Sequence, residues 1–263
     1  MLRRIDAVVP AHDEEELIGA CIDALLVAHA AVRRSRPELD VGITIVLDDC
    51  RDGSERVVAE RIAAAKTRTG AGGRGGRDAV VVSIVTIEER SVGAARRVGV
   101  EAALAGSPFG LDERWIASTD ADSRVPSDWF EIHAAAWDAG RDVLLGTVRP
   151  DFDEFSERDV QHWLTTHPAG QLPGNVHGAN LGIRADRLQE LGGFNALPEH
   201  EDVDLVQRAR AAGLLVVPTL DGVVATSGRR HGRTPAGYAA FLAKEYPVTA
   251  HLGCAAVGRE PVG

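Results

Sequence analysis

Apolar runs that each lead through a polar loop toward a stretch with apolar residues at helical spacing constrain the fold of this 263-residue chain more than any other feature. Ile5 to Val9 is closed by Pro10, and Asp13-Glu14-Glu15-Glu16 then opens a segment with Leu17, Ile18, Cys21, Leu25 and Ala28 in helical register. Val41 to Leu47 passes through Asp48-Asp49-Cys50-Arg51-Asp52-Gly53-Ser54 into a helix over Glu55 to Ala65 with Val57, Val58 and Ile62 inward. Ala79 to Val85 precedes a helix over Val92 to Leu104, and Trp115 to Ser118 is a fourth strand. Strands without polar alternation are covered on both faces, so the pattern predicts a parallel sheet with helices on both sides. Ligands of such sheets gather at the carboxyl ends of the strands. Pro10 to Glu14, Asp48 to Ser54, Arg90 to Arg96 and Asp120 to Ser123 all lie at or just beyond those ends. Asp13 is placed to cap the first helix, with Glu16 reaching back to it.

A hydrophobic content of 44% supports a substantial core, and a formal net charge of -10 argues against nucleic acid or an anionic bilayer as the main partner. Cys21, Cys50 and Cys254 lack CxxC spacing, so neither a disulfide framework nor a thiolate zinc site is indicated, and a cytoplasmic setting is expected. Met1-Leu-Arg-Arg runs straight into a strand without an apolar leader, and no segment has the ~20 apolar residues of a membrane span. A soluble protein is the expectation, with peripheral membrane contact left open. Oligomeric state is not legible. The Lys66 to Arg77 segment is rich in glycine and arginine, but it precedes a strand, so it reads as a surface loop and not as a phosphate cradle.

The second half is less regular. Asp142 to Val148 and Val176 to Ile183 read as strands, Gly192-Gly193-Phe194 as a turn, Glu201 to Ala212 as a helix, and Leu214 to Val217 and Val223 to Ala225 as short strands. Pro150 to Pro173 reads as a polar, aromatic-bearing connection, and Asp151 to Asn175 as either a ligand-ordered lid or plain disorder. A short helix over Ala236 to Glu245 is placed to cover a cleft or to pair subunits. Trp115 and Trp129 read as packing residues, whereas Trp163 suits either an acceptor platform or burial.

Asp120-Ala121-Asp122 ends the fourth strand with two carboxylates spaced to face one ligand. Carboxylate oxygens are the hard donors that magnesium and manganese prefer, so the pair suits a cation held against a diphosphate. A helix cap beside a solvated carboxylate is the competing reading.

Taken in order, the motifs resemble the GT-A glycosyltransferases, and among them family 2. Val8-Val-Pro10-Ala11-His-Asp13-Glu14-Glu resembles the family's opening strand and loop, although Asp13 stands where asparagine is usual. Val46-Leu-Asp48-Asp-Cys-Arg-Asp-Gly-Ser resembles the loop in which an aspartate recognises the nucleotide base, here Asp48. Ser91-Val-Gly-Ala-Ala-Arg96-Arg-Val-Gly is similar to the segment leading to the diphosphate, and Asp120-Ala121-Asp122 to the metal motif. Gly178-Ala-Asn180-Leu-Gly-Ile-Arg, Leu191-Gly-Gly-Phe and Glu201-Asp202 resemble the acceptor-side strand, turn and acidic pair.

The resemblance implies an α/β fold, a GT-A-like Rossmann-type three-layer sandwich with a mostly parallel central sheet. It implies one catalytic domain over residues 1–233, with a nucleotide-binding half over 1–123 and an acceptor half over 124–233, followed by a C-terminal helix and tail over 234–263. The implied reaction moves a sugar from a UDP- or GDP-linked donor to an acceptor hydroxyl with Mn2+ or Mg2+, inversion being the family default. Pro10, Ala11, Asp13, Glu14, Asp48, Arg96, Asp120, Ala121 and Asp122 would bind the nucleotide sugar. Asp122 would ligate the metal directly, and Asp120 the ribose or a metal-bound water. Asp202, or else Glu201, would take the acceptor proton; the alternative for both is a helix turn whose acidic residues only suit the dipole.

His231 would add a metal ligand or be a lone surface histidine. Asn180, Arg229, Arg230 and Arg233 are candidates for the acceptor or diphosphate, the arginines alternatively forming a solvated basic turn. Two other functions fit the strand order. A sugar-phosphate nucleotidyltransferase needs a glycine-rich basic loop where Ala11-His-Asp-Glu stands, and a nonenzymatic nucleotide-sugar binder has no need to keep both acidic motifs.

Overall fold

The computed structural model describes residues 1–68, 80–168, 170, 175–232 and 237–246. The first half of the chain alternates as expected: β1 (Arg4–Ala11), α1 (Ile18–Ser35), β2 (Asp40–Asp48), α2 (Ser54–Arg68), β3 (Val81–Ile87), α3 (Val92–Ala105) and β4 (Arg114–Ser118). The second half adds β5 (Ser123–Arg124), α4 (Trp129–Asp138), β6 (Val143–Leu145), β7 (Val148–Pro150), α5 (Glu157–Thr166), β8 (Leu181–Arg184), α6 (Ala185–Glu190) and α7 (Glu201–Ala211). It ends with β9 (Val216–Pro218), β10 (Val224–Thr226) and α8 (Tyr238–Glu245).

A seven-stranded sheet has the order β3-β2-β1-β4-β8-β6-β9. Only β8 runs against its neighbours β4 and β6; the other pairings in this sheet are parallel. Because side chains alternate across a strand, β1 feeds two cores. Ile5, Ala7 and Val9 join Leu25 of α1, Val58 of α2 and Trp129 of α4 on one face, while Val8 joins Val100 of α3 and Leu205 of α7 on the other. Gly99 lets α3 lie close to the sheet, since a Cβ there would press into the Val8 and Val46 side chains. The result is the expected three-layer sandwich, and Trp115 and Trp129 are packing residues with no exposure. Among the described residues no helix is long and apolar enough to cross a membrane.

Several local expectations are corrected. The third strand is not covered on both faces: β3 pairs only with β2, and Val81 and Ile84 are exposed. The expected strand over Asp142 to Val148 breaks at Gly146, where a Cβ would overlap the Asn180 side chain, so β6 enters the large sheet and β7 a small one of order β5-β10-β7. The expected strand over Val176 to Ile183 shortens to β8 after a 3-10 turn at Gly178–Asn180.

The supposed irregular connection holds α5, capped by Ser156, whose Oγ accepts the Asp159 N–H at 3.2 Å. Trp163 of α5 is buried with Leu242 and Tyr246 of the α8 region, which favours packing over an acceptor platform. Asp13 does not cap α1, which starts at Ile18 after Leu17 with no side-chain cap; its φ is 52° and its carboxylate instead accepts the Arg51 N–H at 2.7 Å. The core of the glycine- and arginine-rich segment, residues 69–77, and Cys254 lie outside the described residues.

Candidate active site

The loops after β1, β4 and β10 meet at the carboxyl edge of the sheet. Glu14 is buried, its N–H donates to Ser54 Oγ at 2.8 Å, and its carboxylate receives both Nη groups of Arg229 at 2.8 and 2.6 Å. Arg229 Nη2 also stands 3.0 Å from Asp122 Oδ2. On Asp122 Oδ1, Ser123 Oγ donates at 3.1 Å and Thr226 Oγ1 at 3.3 Å, while the Ser227 N–H holds the Asp122 carbonyl at 3.1 Å. One arginine from the loop after β10 thus joins carboxylates that enter from β1 and β4.

A second arginine works beneath them. Arg96 of α3 is buried, donates from Nε to Ser118 Oγ at 2.8 Å, and directs its two Nη groups to Asp120 and Glu201. Gly178 roofs this guanidinium, because a Cβ there would collide with it. The Gly178 N–H donates to Asp202 Oδ2 at 2.6 Å, and Asp202 Oδ1 accepts the Val203 N–H at 2.7 Å. Asp202 sits in the first turn of α7.

Burial raises the Asp120 pKa to about 6 against the opposing pull of Arg96, and Asp122, Asp202 and Glu14 push it further up. Arg229 joins Glu14 to Asp122 and Arg96 joins Asp120 to Glu201, so motifs from distant parts of the chain meet at this edge of the sheet. Here Glu14, Asp120, Asp122, Glu201 and Asp202 outnumber the guanidiniums of Arg96 and Arg229. That surplus of hard oxygen donors suits a divalent cation. Burial lowers the pKa of His177 although Asp202 opposes it, and the Tyr238 ring meets the His177 ring edge-on at 5.9 Å, bringing α8 to the acceptor side.

Other residues singled out from the sequence have different surroundings. Asp48 is buried, and its carboxylate accepts the N–H groups of Glu89, Arg90 and Ser91 at 2.8, 2.8 and 2.9 Å, anchoring the loop before α3. Pro10 and Ala11 close β1 opposite Val46 and Leu47, and Ala121 is buried. As a correction, Asn180 is a buried rivet: its Oδ1 accepts the Trp129 indole N–H at 2.9 Å, and its Nδ2 donates to the Thr147 and Gly222 carbonyls, both at 2.9 Å. Arg230 likewise turns away, donating to the Tyr246 carbonyl at 2.6 Å and pairing with Asp159, so it fastens α8 to α5. His231 is exposed, and among the described residues Arg229 is the basic group against Asp122. Arg233 lies outside the described residues.

Among the described residues, the group of three potential ligand atoms that lie within 4.8 Å of one another comes from Asp13, Cys50 and Asp52 and not from the Asp120-Ala121-Asp122 motif. Its carboxylates already accept turn N–H groups, Asp13 from Arg51 and Asp52 from Glu15 and Ser54. Sequence reasoning left His177 unassigned and did not single out Tyr238; adjacency to the Gly178 motif was the available signal for His177.

Residues 6–185, well over half the chain, match the family profile Glycosyl transferase family 2. The chain belongs to this family. No curated protein is a recognisable sequence relative of this family 2 chain. Its fold is similar to that of the mannosyltransferase PcManGT from Pyrobaculum calidifontis, solved with GDP-Man and Mn2+, at 19% identity and a TM-score of 0.62, over 89% of this chain and 59% of that one. It is also similar to glucosyl-3-phosphoglycerate synthase from Mycobacterium tuberculosis, solved with Mn2+, UDP-Glc and phosphoglyceric acid, at 15% identity and a TM-score of 0.52, over 86% of this chain and 73% of that one. At these identities the likeness is one of fold. The family 2 chain spans 59% of the length of the mannosyltransferase.

Proposed function

We propose that this family 2 chain transfers a sugar from a UDP- or GDP-linked donor to an acceptor hydroxyl, with inversion and with the help of Mn2+ or Mg2+. The observation that carries the reading is the meeting of distant acidic motifs at one strand edge, Glu14 and Asp122 on Arg229 and Asp120 and Glu201 on Arg96. Asp122 is the ligand proposed for the cation, which when bound supplies Lewis acidity that stabilises the departing diphosphate. Asp120, held by Arg96, orients ribose or metal-bound water. Arg229 lies at the same carboxylates, and its planar fork matches a phosphate.

Asp202 is the proposed general base. Its oxygens accept the N–H groups of Gly178 and Val203, which orient the carboxylate to take the acceptor proton as the hydroxyl attacks. Glu201 beside it is neutralised by Arg96 and is the weaker candidate. Asp48 carries a structural duty in its loop, so Asp49, just past the end of β2 and held by the exposed Arg51 and Arg90, is the alternative carboxylate for a nucleobase. The neighbours' GDP-Man and UDP-Glc are the donors to try first.

The deciding experiment incubates the full chain with each nucleotide sugar, Mn2+ and a panel of hydroxyl acceptors, and reads the product anomer by NMR. Transfer with inversion that is lost in Asp122→Asn is the expected result. Retained configuration overturns the role of Asp202 as base, and undiminished metal-dependent transfer in Asp122→Asn overturns the metal assignment.

A further inference from the structure

The two aspartates of the Asp120-Ala121-Asp122 motif have arginine partners of opposite character. Asp120 pairs with Arg96, whose side chain is 3% exposed and is also bound to Ser118 and Glu201. Asp122 pairs with Arg229, whose side chain is 23% exposed and sits on a loop. Arg229 is steered there by its paired bonds to Glu14, itself fixed through its N–H to Ser54.

We infer that Arg229 and the divalent cation compete for Asp122, with Glu14 holding the arginine in the competing position. The inference rests on the reading of Asp122 as metal ligand. A guanidinium stands 3.0 Å from Oδ2, so a cation held by that oxygen would meet a like charge at short range in a site only partly open to water. Cation binding therefore requires Arg229 to yield the oxygen. A nucleoside diphosphate makes that exchange favourable, because it brings negative charge and offers the guanidinium a matching pair of oxygens. Metal and nucleotide then bind cooperatively, and linkage makes the coupling equal in both directions. Asp120 takes no part in this exchange, since its arginine is locked in place.

The test is an EPR titration of free Mn2+ against the full chain, with and without UDP or GDP. Wild type is expected to bind Mn2+ weakly alone and more tightly with nucleotide. Arg229→Gln is expected to tighten Mn2+ binding without nucleotide by roughly tenfold, the scale of one charged hydrogen bond, and to shrink the gain from nucleotide. Arg229→Lys, whose compact ammonium lacks the planar fork that holds Glu14 by two nitrogens while reaching Asp122, gives a smaller change in the same direction and serves if the glutamine variant fails to fold. Arg230→Gln removes a neighbouring charge directed at Tyr246 and Asp159, and is expected to leave Mn2+ affinity as it was.

Unchanged or weaker Mn2+ binding in both Arg229 variants overturns the inference, as does an equal gain in Arg230→Gln. Asp122→Asn separates the two readings. If it binds Mn2+ like wild type, the metal assignment itself fails; if it loses Mn2+ while the Arg229 variants match wild type, only the competition fails.

Discussion

Arg96 and Glu201 form an ion pair between α3 and the first turn of α7, with 3% of each side chain exposed. The same guanidinium reaches Asp120 and Ser118, so one side chain of α3 sets where the Asp120-Ala121-Asp122 motif and the Glu201-Asp202 pair stand relative to each other. Glu201 is engaged in this junction, whereas Asp202 beside it accepts only backbone N–H groups among the bonds of the described residues, from Gly178 and Val203.

Replacing Arg96 by methionine leaves Asp120 and Glu201 without their common partner. Breaking a buried pair from one side costs about 3–5 kcal/mol. Urea unfolding of Arg96→Met is expected to show a loss of that size, and Arg96→Lys a smaller one; a loss below about 1 kcal/mol would mean the junction is not structural.

Asp202→Asn removes the proposed base and preserves the shape of the side chain. Transfer is expected to fall by about 10²–10⁴ while donor affinity by calorimetry stays near wild type. Parallel loss of donor binding would instead place Asp202 in the framework of the donor site.

Asn180→Ala orphans the Trp129 indole N–H and the carbonyls of Thr147 and Gly222 in a buried setting. Each unsatisfied group costs about 1–3 kcal/mol, so a total near 3 kcal/mol is expected after local relaxation. Equilibrium denaturation checks this, and an unchanged midpoint would show that Asn180 is not a rivet.

His133 sits buried beneath β4, accepts the Trp115 indole N–H at 3.0 Å on Nδ1, and has its pKa pushed down to about 3 by burial. The folded protein keeps it neutral while the unfolded chain protonates it below about 6.5, so its contribution to stability is present at neutral pH and is lost as pH falls toward 3. Between pH 7 and pH 5 that contribution amounts to about 2 kcal/mol. His133→Gln keeps an acceptor for Trp115 without titrating, and its unfolding free energy is expected to vary less over that interval by this amount. Identical pH dependence in the two proteins would remove His133 as the cause.

The layered α/β architecture was legible because it depends on local periodicity. β1, β2 and β4 read as continuous apolar runs since both faces are covered, and α1, α3 and α7 carry apolar residues at helical spacing. Errors fell where the same local signal has more than one tertiary outcome. β3 is as apolar as β2 yet lies at the sheet edge, and the run from Asp142 to Val148 divides between two sheets because Asn180 packs against Gly146. α5 is not legible because its apolar face is narrow and finds its cover in Phe152 and Phe155 before it and in the distant α8 region.

The sequence alone determined the order of strands and helices, the edge at which polar loops would collect, and the acidic motifs placed on it, because periodicity and turn chemistry act over a few residues. Only the tertiary structure decided which polar groups face one another: Arg229 with Glu14 and Asp122, Arg96 with Asp120 and Glu201, Asn180 with Trp129. A guanidinium or an amide carries no mark in the chain of the partner it will meet. That choice is made when burial strips its water and obliges it to find hydrogen bonds among the elements packed around it.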